Sequence, residues 1–278
     1  MKLGELKKEL LGVDNTLEDP YLEVRVLLSH LGISEIDQIA YPEKEIDERT
    51  AAEAIELFAK RVRGTPMAYI TETKEFYGHT FHVDESVLIP RPDTEILVEK
   101  AVEIYRKKRY RGKILDLCTG SGAIAASVAF ALKKSVCYSD ISPKALKTAQ
   151  RNYKEITGEK GDARPGDLFT PWTREKFSLI ATNPPYLTDK WYEETEESVK
   201  KEPENAFLGF GDDGLDIIKK IVQASPQVLE KNGTLLIECD YRQTGKVRTL
   251  MSQNGFSDIG TAKDLGGRER VVYGEYKG

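Results

Sequence analysis

Histidine and cysteine are scarce in this chain of 278 residues, which contains three of each. His30, His79 and His82 have no spacing typical of metal ligands, so we predict no metal site. The cysteines are odd in number and lie within or beside apolar segments, as small buried residues do. We therefore expect neither a disulfide framework nor a metal cluster to hold the fold.

Long apolar runs and an excess of positive charge are also missing. No segment approaches the roughly 18 consecutive apolar residues of a membrane-spanning helix, and the start of the chain lacks the apolar core of a signal peptide. We predict a soluble cytoplasmic protein. The formal net charge of −5 weighs against nonspecific binding of nucleic acid. A basic run at residues 106–113 is interpreted as a helix end and surface loop, in preference to a docking site.

The tetrapeptide Asn183-Pro184-Pro185-Tyr186 combines an amide, two residues without a backbone N–H, and an aromatic ring. It follows the apolar run 177–182, which predicts a buried strand, and ligands bind at the carboxyl ends of strands in open α/β sheets. Asn183 and the Pro184 carbonyl can accept the two N–H bonds of a planar –NH2 group, on which Tyr186 can stack. The alternative interpretation is a proline-rich turn that ends a strand.

A glycine-bearing turn at residues 118–122 follows a second predicted strand, residues 113–117. Its glycines, Gly120 and Gly122, allow a ligand to approach the backbone closely. A further strand, residues 135–139, ends at Asp140, whose carboxylate can accept hydrogen bonds from both hydroxyls of a ribose. These segments predict the nucleoside-binding half of a doubly wound α/β sheet.

Two kinds of cofactor fit this arrangement, a nicotinamide dinucleotide and an adenosyl ligand, and Asp140 does not discriminate between them. The turn lacks the third glycine of G-x-G-x-x-G, which a pyrophosphate-binding turn favours. In lacking that third glycine and in having the later Asn-Pro-Pro-Tyr, the chain resembles the Rossmann-like class I S-adenosylmethionine-dependent methyltransferases. We count about seven strands in all, mostly parallel with an antiparallel edge.

Further motifs narrow the resemblance, weakly in the first sixty residues and strongly thereafter. The chain resembles the HemK/PrmC family, the glutamine methyltransferases of bacterial peptide chain release factors. The shared motifs are Gly64–Ile70, Glu75–Gly78, Val87–Glu95, Asp140–Pro143, Gly166–Phe169, Asn183–Tyr186, Glu202-Pro203, Asp213–Leu215 and Asp264–Arg268.

The resemblance implies S-adenosyl-L-methionine as the cofactor and a class-1 release factor as the protein substrate, with no direct nucleic-acid partner and no membrane. The implied reaction is direct in-line transfer to the side-chain amide nitrogen of the glutamine in the GGQ motif, which supports translation termination. The implied catalytic residues are Asn183, Pro184 and Tyr186, and Pro185 joins them in binding substrate. The implied cofactor contacts are Cys118, Thr119, Gly120, Ser121, Gly122, Asp140, Leu168 and Asn183.

Three positions depart from the family pattern. Cys118 stands where the first glycine of the turn is usual, and a small cysteine fits there if its φ is negative. Asp240 replaces a glycine in the segment 238–243, and Phe210 interrupts a usual pair of glycines.

Three further residues have roles that the sequence leaves open. Asp116 is either a cofactor contact or a structural carboxylate at a strand end. For Arg91 and Glu95 we favour bracing of the domain junction over a direct role in the substrate pocket.

Three segments organise the chain. Apolar residues at helical spacing predict a helical domain over residues 1–75, which we expect to recognise the substrate protein. A β-hairpin linker is predicted over residues 76–90, with turns at Tyr77-Gly78 or Asp84-Glu85. Residues 91–278 form the predicted methyltransferase domain.

Three other functions stay open at this point. An adenine amino-group methyltransferase of DNA or RNA faces the same planar nitrogen, but it needs a basic groove for its substrate. Glutamine methylation of a ribosomal protein is opposed only by the N-terminal segment. A non-catalytic scaffold is opposed by the intact Asn183 and Asp140.

Overall fold

The computed structural model describes residues 1–13 and 17–278. The chain forms two compact units, one of residues 1–73 with 196–201 and the other of residues 74–195 with 202–278. None of the helices in these described ranges is long and apolar enough to cross a membrane.

The first unit is helical, as its apolar spacing predicted. Its helices are α1 (Leu3–Leu11), α2 (Pro20–His30), α3 (Glu35–Ala40), α4 (Glu48–Val62) and α5 (Met67–Ile70). Side-chain caps fix three helix starts, where Asp19, Ser34 and Asp47 accept backbone N–H bonds. The buried faces of α1, α2 and α4 pack leucines such as Leu6 and Leu27 around Phe58, giving this unit its own core.

The predicted hairpin is present, but its bounds differ from the prediction. Strands β1 (Thr73–Phe76) and β2 (His79–His82) form a two-stranded sheet, so the hairpin begins three residues early and ends eight residues early. Tyr77 and Gly78 both have positive φ, 50° and 74°, as a two-residue hairpin turn requires. Beyond His82 the Asp84 carboxylate accepts the backbone N–H of Ser86 at 2.8 Å, which bends the chain and ends the pairing.

The second unit contains a seven-stranded sheet with the order β5-β4-β3-β6-β7-β9-β8. The strands are β3 (Lys113–Leu117), β4 (Cys137–Asp140), β5 (Asp162–Pro165), β6 (Phe177–Thr182), β7 (Leu229–Glu238), β8 (Phe256–Lys263) and β9 (Glu269–Tyr276). The first five are mutually parallel, while β9 pairs antiparallel with β7 and β8. The predicted mostly parallel sheet of seven strands with an antiparallel edge is confirmed.

Helices cover both faces of this sheet, because successive side chains of its buried strands point to opposite sides. Leu179 and Ala181 of β6 join a core formed with α6 (Glu95–Lys107), α7 (Ala123–Leu132) and α8 (Pro143–Thr157). Ile180 joins the opposite core, formed with α10 (Asp216–Ala224) and α11 (Thr244–Gln253). The remaining helix, α9, spans Asp189–Glu193. Two covered faces leave the carboxyl ends of the parallel strands as the open edge for a ligand.

Candidate active site

A cavity of ≈ 330 Å³ opens at the carboxyl ends of β3, β4 and β6. Its wall includes most of the residues that the sequence predicted to bind ligands: Cys118, Thr119, Gly120, Ser121, Asp140, Leu168, Asn183 and Pro185. Gly122, Pro184 and Tyr186 lie outside that wall. The turn after β3 and the tetrapeptide after β6 therefore face one common space, although Gly122 and Asn183 are 61 positions apart in the sequence.

We expected Cys118 to fit the turn with a negative φ, and this expectation is wrong. Cys118 has φ +59°, in the left-handed region where a Cβ is disfavoured, at a cost of roughly 1–2 kcal/mol. Its side chain packs against the core beneath the cavity, and burial raises the pKa of its thiol well above the ordinary value. The cysteine is therefore a protonated, structural member of a strained turn. Gly120 also has a positive φ, 54°, and a Cβ placed on it would meet nothing within 4 Å, so this glycine leaves the backbone open to a ligand.

Gly122 has a packing role that the sequence analysis did not separate from ligand binding. It precedes α7 with φ +81°, and a Cβ there would lie 3.0 Å from the Cα of Ala149 in α8. Only glycine allows α7 and α8 to approach this closely.

Asp140 ends β4 and is held by two backbone donors. Its Oδ2 accepts the N–H of Gly120 at 2.9 Å, and its Oδ1 accepts the N–H of Ser142 at 2.8 Å. Burial raises the pKa of this carboxyl, while the backbone hydrogen bonds lower it. Each carboxylate oxygen retains a lone pair for a further donor. The carboxylate thus joins the glycine turn to the start of α8 and presents acceptors to the cavity.

Asp116 lies below the cavity wall and is 1% exposed. Its Oδ2 accepts the Thr119 hydroxyl at 2.5 Å and the N–H of Ala125 at 3.0 Å, which ties β3 to the turn and to α7. Its Oδ1 has no hydrogen-bond partner among the described residues. Of the two roles left open for Asp116, these contacts favour the structural carboxylate.

We expect the variant Asp116→Asn to be more stable than the wild type at pH 8. Burial raises the pKa of Asp116 from 3.8 to about 7. The folded state therefore holds this proton more tightly than the unfolded state, and stability falls as the pH rises from about 4 to above 7. A neutral amide removes that cost, so the free energy of unfolding should increase by roughly 1–3 kcal/mol at pH 8. Urea unfolding at pH 5 and pH 8 measures the difference, which should shrink at pH 5.

Asp258→Asn provides the control with the opposite sign. The hydrogen bond from Lys277 lowers the pKa of exposed Asp258, so its stabilising contribution is present at neutral pH and is lost as the pH falls. An Asp116→Asn protein that is no more stable than the wild type at pH 8 would contradict the proposed cost of the buried carboxyl.

The tetrapeptide is anchored from behind. The Asn183 Nδ2 donates to the hydroxyl oxygen of Thr94 at 3.2 Å, which directs the side-chain oxygen away from that contact. Neither the Asn183 Oδ1 nor the Pro184 carbonyl accepts a hydrogen bond from the described residues. Tyr186 donates its hydroxyl to the Glu238 Oε1 at 3.4 Å, while its carbonyl accepts the Gln243 Nε2 at 2.7 Å. Two free acceptors therefore stand at the start of a loop whose far end is fixed.

Sequence reasoning missed Thr94 and Glu238 as members of this site. Both belong to motifs that were noted for other reasons, the segment 87–95 and the segment 238–243. Glu238 also ends β7, which pairs with β6 in a register that matches Thr182 with Ile237. The neighbouring carboxyl ends of two parallel strands were the available signal.

Arg91 and Glu95 both make contacts within the second unit. The Arg91 guanidinium donates to Glu202 at 2.5 Å, and the other oxygen of Glu202 accepts the N–H of Ile89 at 2.9 Å. Arg91 lines the cavity, whereas Glu95 accepts the N–H of Tyr77 at 2.9 Å and so holds the hairpin turn. Arg91 thus fixes a wall of the cavity, which the favoured bracing role did not include.

Two departures from the family pattern have visible consequences. Phe210, which interrupts the usual pair of glycines, lines the cavity and has φ +60°, a conformation suited to glycine. Asp240 is buried and forms an ion pair with Arg242 at 2.6 Å. Within residues 1–13 and 17–278, no group of three or more His, Cys, Asp or Glu side chains could hold a metal ion.

Two family models match separate parts of the chain. Residues 92–202 match the methyltransferase small domain, and residues 8–71 match the PrmC N-terminal domain. Among solved structures, the chain is similar to the T. thermophilus 16S rRNA N2 G1207 methyltransferase in complex with AdoMet and guanosine. The TM-score is 0.55 at 19% identity, covering 73% of this chain and 49% of that one. The chain is also similar to a methyltransferase from Pyrococcus furiosus, with a TM-score of 0.51 at 17% identity, covering 78% of this chain and 96% of that one.

Curated relatives are more similar in sequence and match over most of the chain. A release factor glutamine methyltransferase of Clostridium acetobutylicum is 38% identical over 264 residues, which is 92% of each chain. The relative of the same name from Neisseria gonorrhoeae is 35% identical over 261 residues, 92% of this chain and 94% of that one. With this identity over nearly its whole length, a confirmed seven-stranded sheet and both family domains, the chain belongs to the release factor glutamine methyltransferase family.

Proposed function

We propose that this chain methylates the side-chain amide nitrogen of the glutamine in the GGQ motif of class-1 bacterial release factors, and thereby supports translation termination. One observation carries the proposal: the same cavity is lined by the glycine turn and by Asn183 and Pro185. A methyl donor on the turn and a planar amide on the tetrapeptide would meet there. The names of the relatives, release factor glutamine methyltransferases, support this substrate.

The cavity residues fit S-adenosylmethionine. Asp140 offers carboxylate oxygens to the ribose hydroxyls, and Gly120 leaves its backbone open to the amino-acid part. Leu168, together with Ile141, supplies an apolar wall for the adenine ring. When bound, S-adenosylmethionine would supply a methyl group on a positively charged sulfonium; the glutamine nitrogen would bond to that methyl carbon in line as the S–C bond breaks and S-adenosylhomocysteine leaves.

Asn183 and Pro184 orient the attacking amide. Its nitrogen is a poor nucleophile because the lone pair is delocalised, so positioning and electrostatic stabilisation must supply the catalysis. The Asn183 Oδ1 and the Pro184 carbonyl are the two free acceptors for the –NH2 hydrogens, and they draw negative charge onto the nitrogen. Pro185 completes the wall, and the Tyr186 ring is proposed to stack on the amide plane.

No general base is assigned to the reaction. The attacking nitrogen becomes far more acidic as it gains a fourth bond, so its proton leaves to water after transfer. Burial keeps the pKa of Tyr186 well above its ordinary value, so its hydroxyl stays protonated and acts as a donor. The chemistry thus depends on acceptors placed before the substrate arrives.

We propose that the helical segment ahead of the hairpin recognises the release factor, that the hairpin of β1 (Thr73–Phe76) and β2 (His79–His82) acts as the linker in place of the predicted segment 76–90, and that residues 91–278 form the methyltransferase domain. Release factors act where proteins are made, so we place this activity in the cytoplasm. The net charge of −5 supports a protein partner over a nucleic acid.

A substrate panel tests this function. We expect purified protein with methyl-labelled S-adenosylmethionine to label a class-1 release factor, and to leave unlabelled a ribosomal-protein mixture and DNA or RNA in single and double strands. A release factor whose GGQ glutamine is replaced by alanine is the matched control and should remain unlabelled. Label on nucleic acid alone would favour an adenine amino-group methyltransferase. Label on a ribosomal protein alone would favour glutamine methylation of that protein.

A further inference from the structure

The cavity wall carries one cationic side chain among the described residues. Of the residues that line it, three have side chains with a formal charge: Arg91, Asp140 and Asp167. The two carboxylates by themselves favour positively charged groups of a ligand. S-adenosylmethionine also contains one negative group, the carboxylate of its amino-acid part, and none of the contacts described so far accounts for it. The guanidinium is the side chain on this wall whose charge is complementary to that group.

Arg91 is held by a buried carboxylate and keeps most of its donors. The Glu202 side chain is 2% exposed, and its two oxygens accept the Arg91 Nη2 at 2.5 Å and the N–H of Ile89 at 2.9 Å. Pro203, the next residue, lines the cavity, so the fixed end of the guanidinium lies at the cavity wall. The contact with Glu202 uses one of the five N–H donors of a guanidinium. The Nε and Nη1 of Arg91 have no acceptor among the described residues, and 35% of this side chain is exposed, so donors remain for a ligand.

Arg91 lies near the part of the cavity where the methyl group is transferred. The Thr94 N–H donates to the Arg91 carbonyl at 3.0 Å, and the Thr94 hydroxyl accepts the Asn183 Nδ2 at 3.2 Å. One turn of chain therefore separates Arg91 from the contact of the residue proposed to hold the acceptor amide. In the donor, the carboxylate is only a few bonds from the sulfonium, whereas the adenine ring lies on the other side of the ribose, toward Leu168. A cation close to Asn183 is thus on the side of the donor that carries the carboxylate.

Backbone donors of the glycine turn compete poorly for this carboxylate. The N–H groups of Thr119, Gly120 and Gly122 already donate to acceptors within the protein. N–H groups at the start of α7 are the main rivals, but they have no formal charge. A guanidinium adds a full positive charge and a planar set of donors that matches the geometry of a carboxylate.

We propose that Arg91 binds the carboxylate of the amino-acid part of S-adenosylmethionine, with its guanidinium held for this contact by Glu202. The inference rests on the proposed function in one respect, the assignment of this cavity to S-adenosylmethionine. It adds a charged donor-binding residue outside the glycine turn, Asp140 and the tetrapeptide. It does not depend on which molecule accepts the methyl group.

Two matched ligands isolate this contact. Decarboxylated S-adenosylhomocysteine lacks the carboxylate of S-adenosylhomocysteine and keeps the adenosine, the sulfur and the amine. We expect the wild type to bind S-adenosylhomocysteine roughly 10–100-fold more tightly, as charge-assisted hydrogen bonds to a carboxylate imply. In Arg91→Gln this preference should largely disappear, because the Kd for S-adenosylhomocysteine rises while the Kd for the decarboxylated ligand changes little. Isothermal titration calorimetry measures each Kd.

Two further variants control for charge and for folding. Loss of Arg91 leaves the buried Glu202 without its ion pair, which destabilises the protein. Arg91→Lys retains the charge but lacks the planar fork, so it should fold and show an intermediate preference between the two ligands. Arg151→Gln removes the same charge elsewhere, because Arg151 pairs with Glu155 at 3.0 Å on α8 and does not line the cavity. It should keep the wild-type Kd for both ligands.

The outcomes distinguish this inference from the proposed function. Equal affinity of the wild type for the two ligands would overturn the inference. An undiminished preference in Arg91→Gln would also overturn it, and would assign the carboxylate to the N–H groups at the start of α7. If the expected preference is found but no release factor is labelled, the proposed substrate is wrong while the Arg91 contact stands. If the wild type binds neither ligand, both the assignment of the cavity and this inference fail.

Discussion

Replacing Asn183 by alanine should lower kcat for release-factor methylation by roughly 10²–10⁴-fold, the loss expected when a group that both positions and polarises a reactant is removed. The side chain donates its NH2 to Thr94 and keeps its oxygen free, so truncation removes the acceptor and leaves the wall otherwise intact. Single-turnover methylation with labelled donor measures the effect. The melting temperature should change by only a few degrees, since the side chain is half-buried and has one hydrogen bond.

Asn183→Asp and Asn254→Ala sharpen that experiment. An aspartate in place of Asn183 would keep an acceptor but lose the donor that holds Thr94, so the variant Asn183→Asp should also be impaired. Asn254 is the C-cap of α11 and donates its side-chain NH2 to the Leu250 carbonyl at 2.8 Å, so its removal should leave kcat unchanged. Near-normal turnover in Asn183→Ala would contradict the proposal that this side chain holds the substrate amide.

Replacing Asp140 by alanine should weaken binding of S-adenosylmethionine by roughly 10²–10⁴-fold. The two charge-assisted hydrogen bonds proposed to the ribose would be lost, and each contributes about 1.5–3 kcal/mol. The N–H groups of Gly120 and Ser142 also lose their acceptor, so the turn itself becomes less ordered. Isothermal titration calorimetry with S-adenosylhomocysteine, which carries the same ribose, measures the change.

Asp140→Asn separates the two effects. An amide oxygen can still accept one backbone N–H, so the loss of affinity should be smaller than for alanine, about tenfold. Asp162→Asn is the control, because Asp162 lies at the start of β5 and pairs with Arg164 at 2.7 Å, outside the cavity wall. If the Asp140→Ala protein binds S-adenosylhomocysteine with the wild-type Kd, the proposed contact between the ribose and this carboxylate is wrong.

The fold and the position of the site could be predicted because they depend on local patterns. Strand β6 matches the predicted run 177–182, since a short run of six consecutive buried residues is typical of a strand covered on both faces. Glycines after β3 and a carboxylate after β4 indicated the nucleoside edge, and the cavity lies there. These features depend on residues close together in the sequence, or on the rule that parallel strands end at one edge.

Contacts between distant residues could not be predicted. Thr94 and Asn183 are 89 positions apart, and Tyr186 and Glu238 are 52 apart. The sequence indicated only a ligand-binding role for Gly122. Its packing role was missed because the residue it contacts, Ala149, lies on a different helix. The positive φ of Cys118 was also missed, because residue type sets only a preference, which tertiary packing can override.

The placement of the cavity has a consequence for how such proteins change over time. All residues that line it belong to the unit of residues 74–195 and 202–278. Mutations in the helical unit can therefore accumulate without altering the walls of the donor site. With the helical unit proposed to recognise the release factor, natural selection could adjust partner choice in one inherited module while the transfer chemistry is retained in the other.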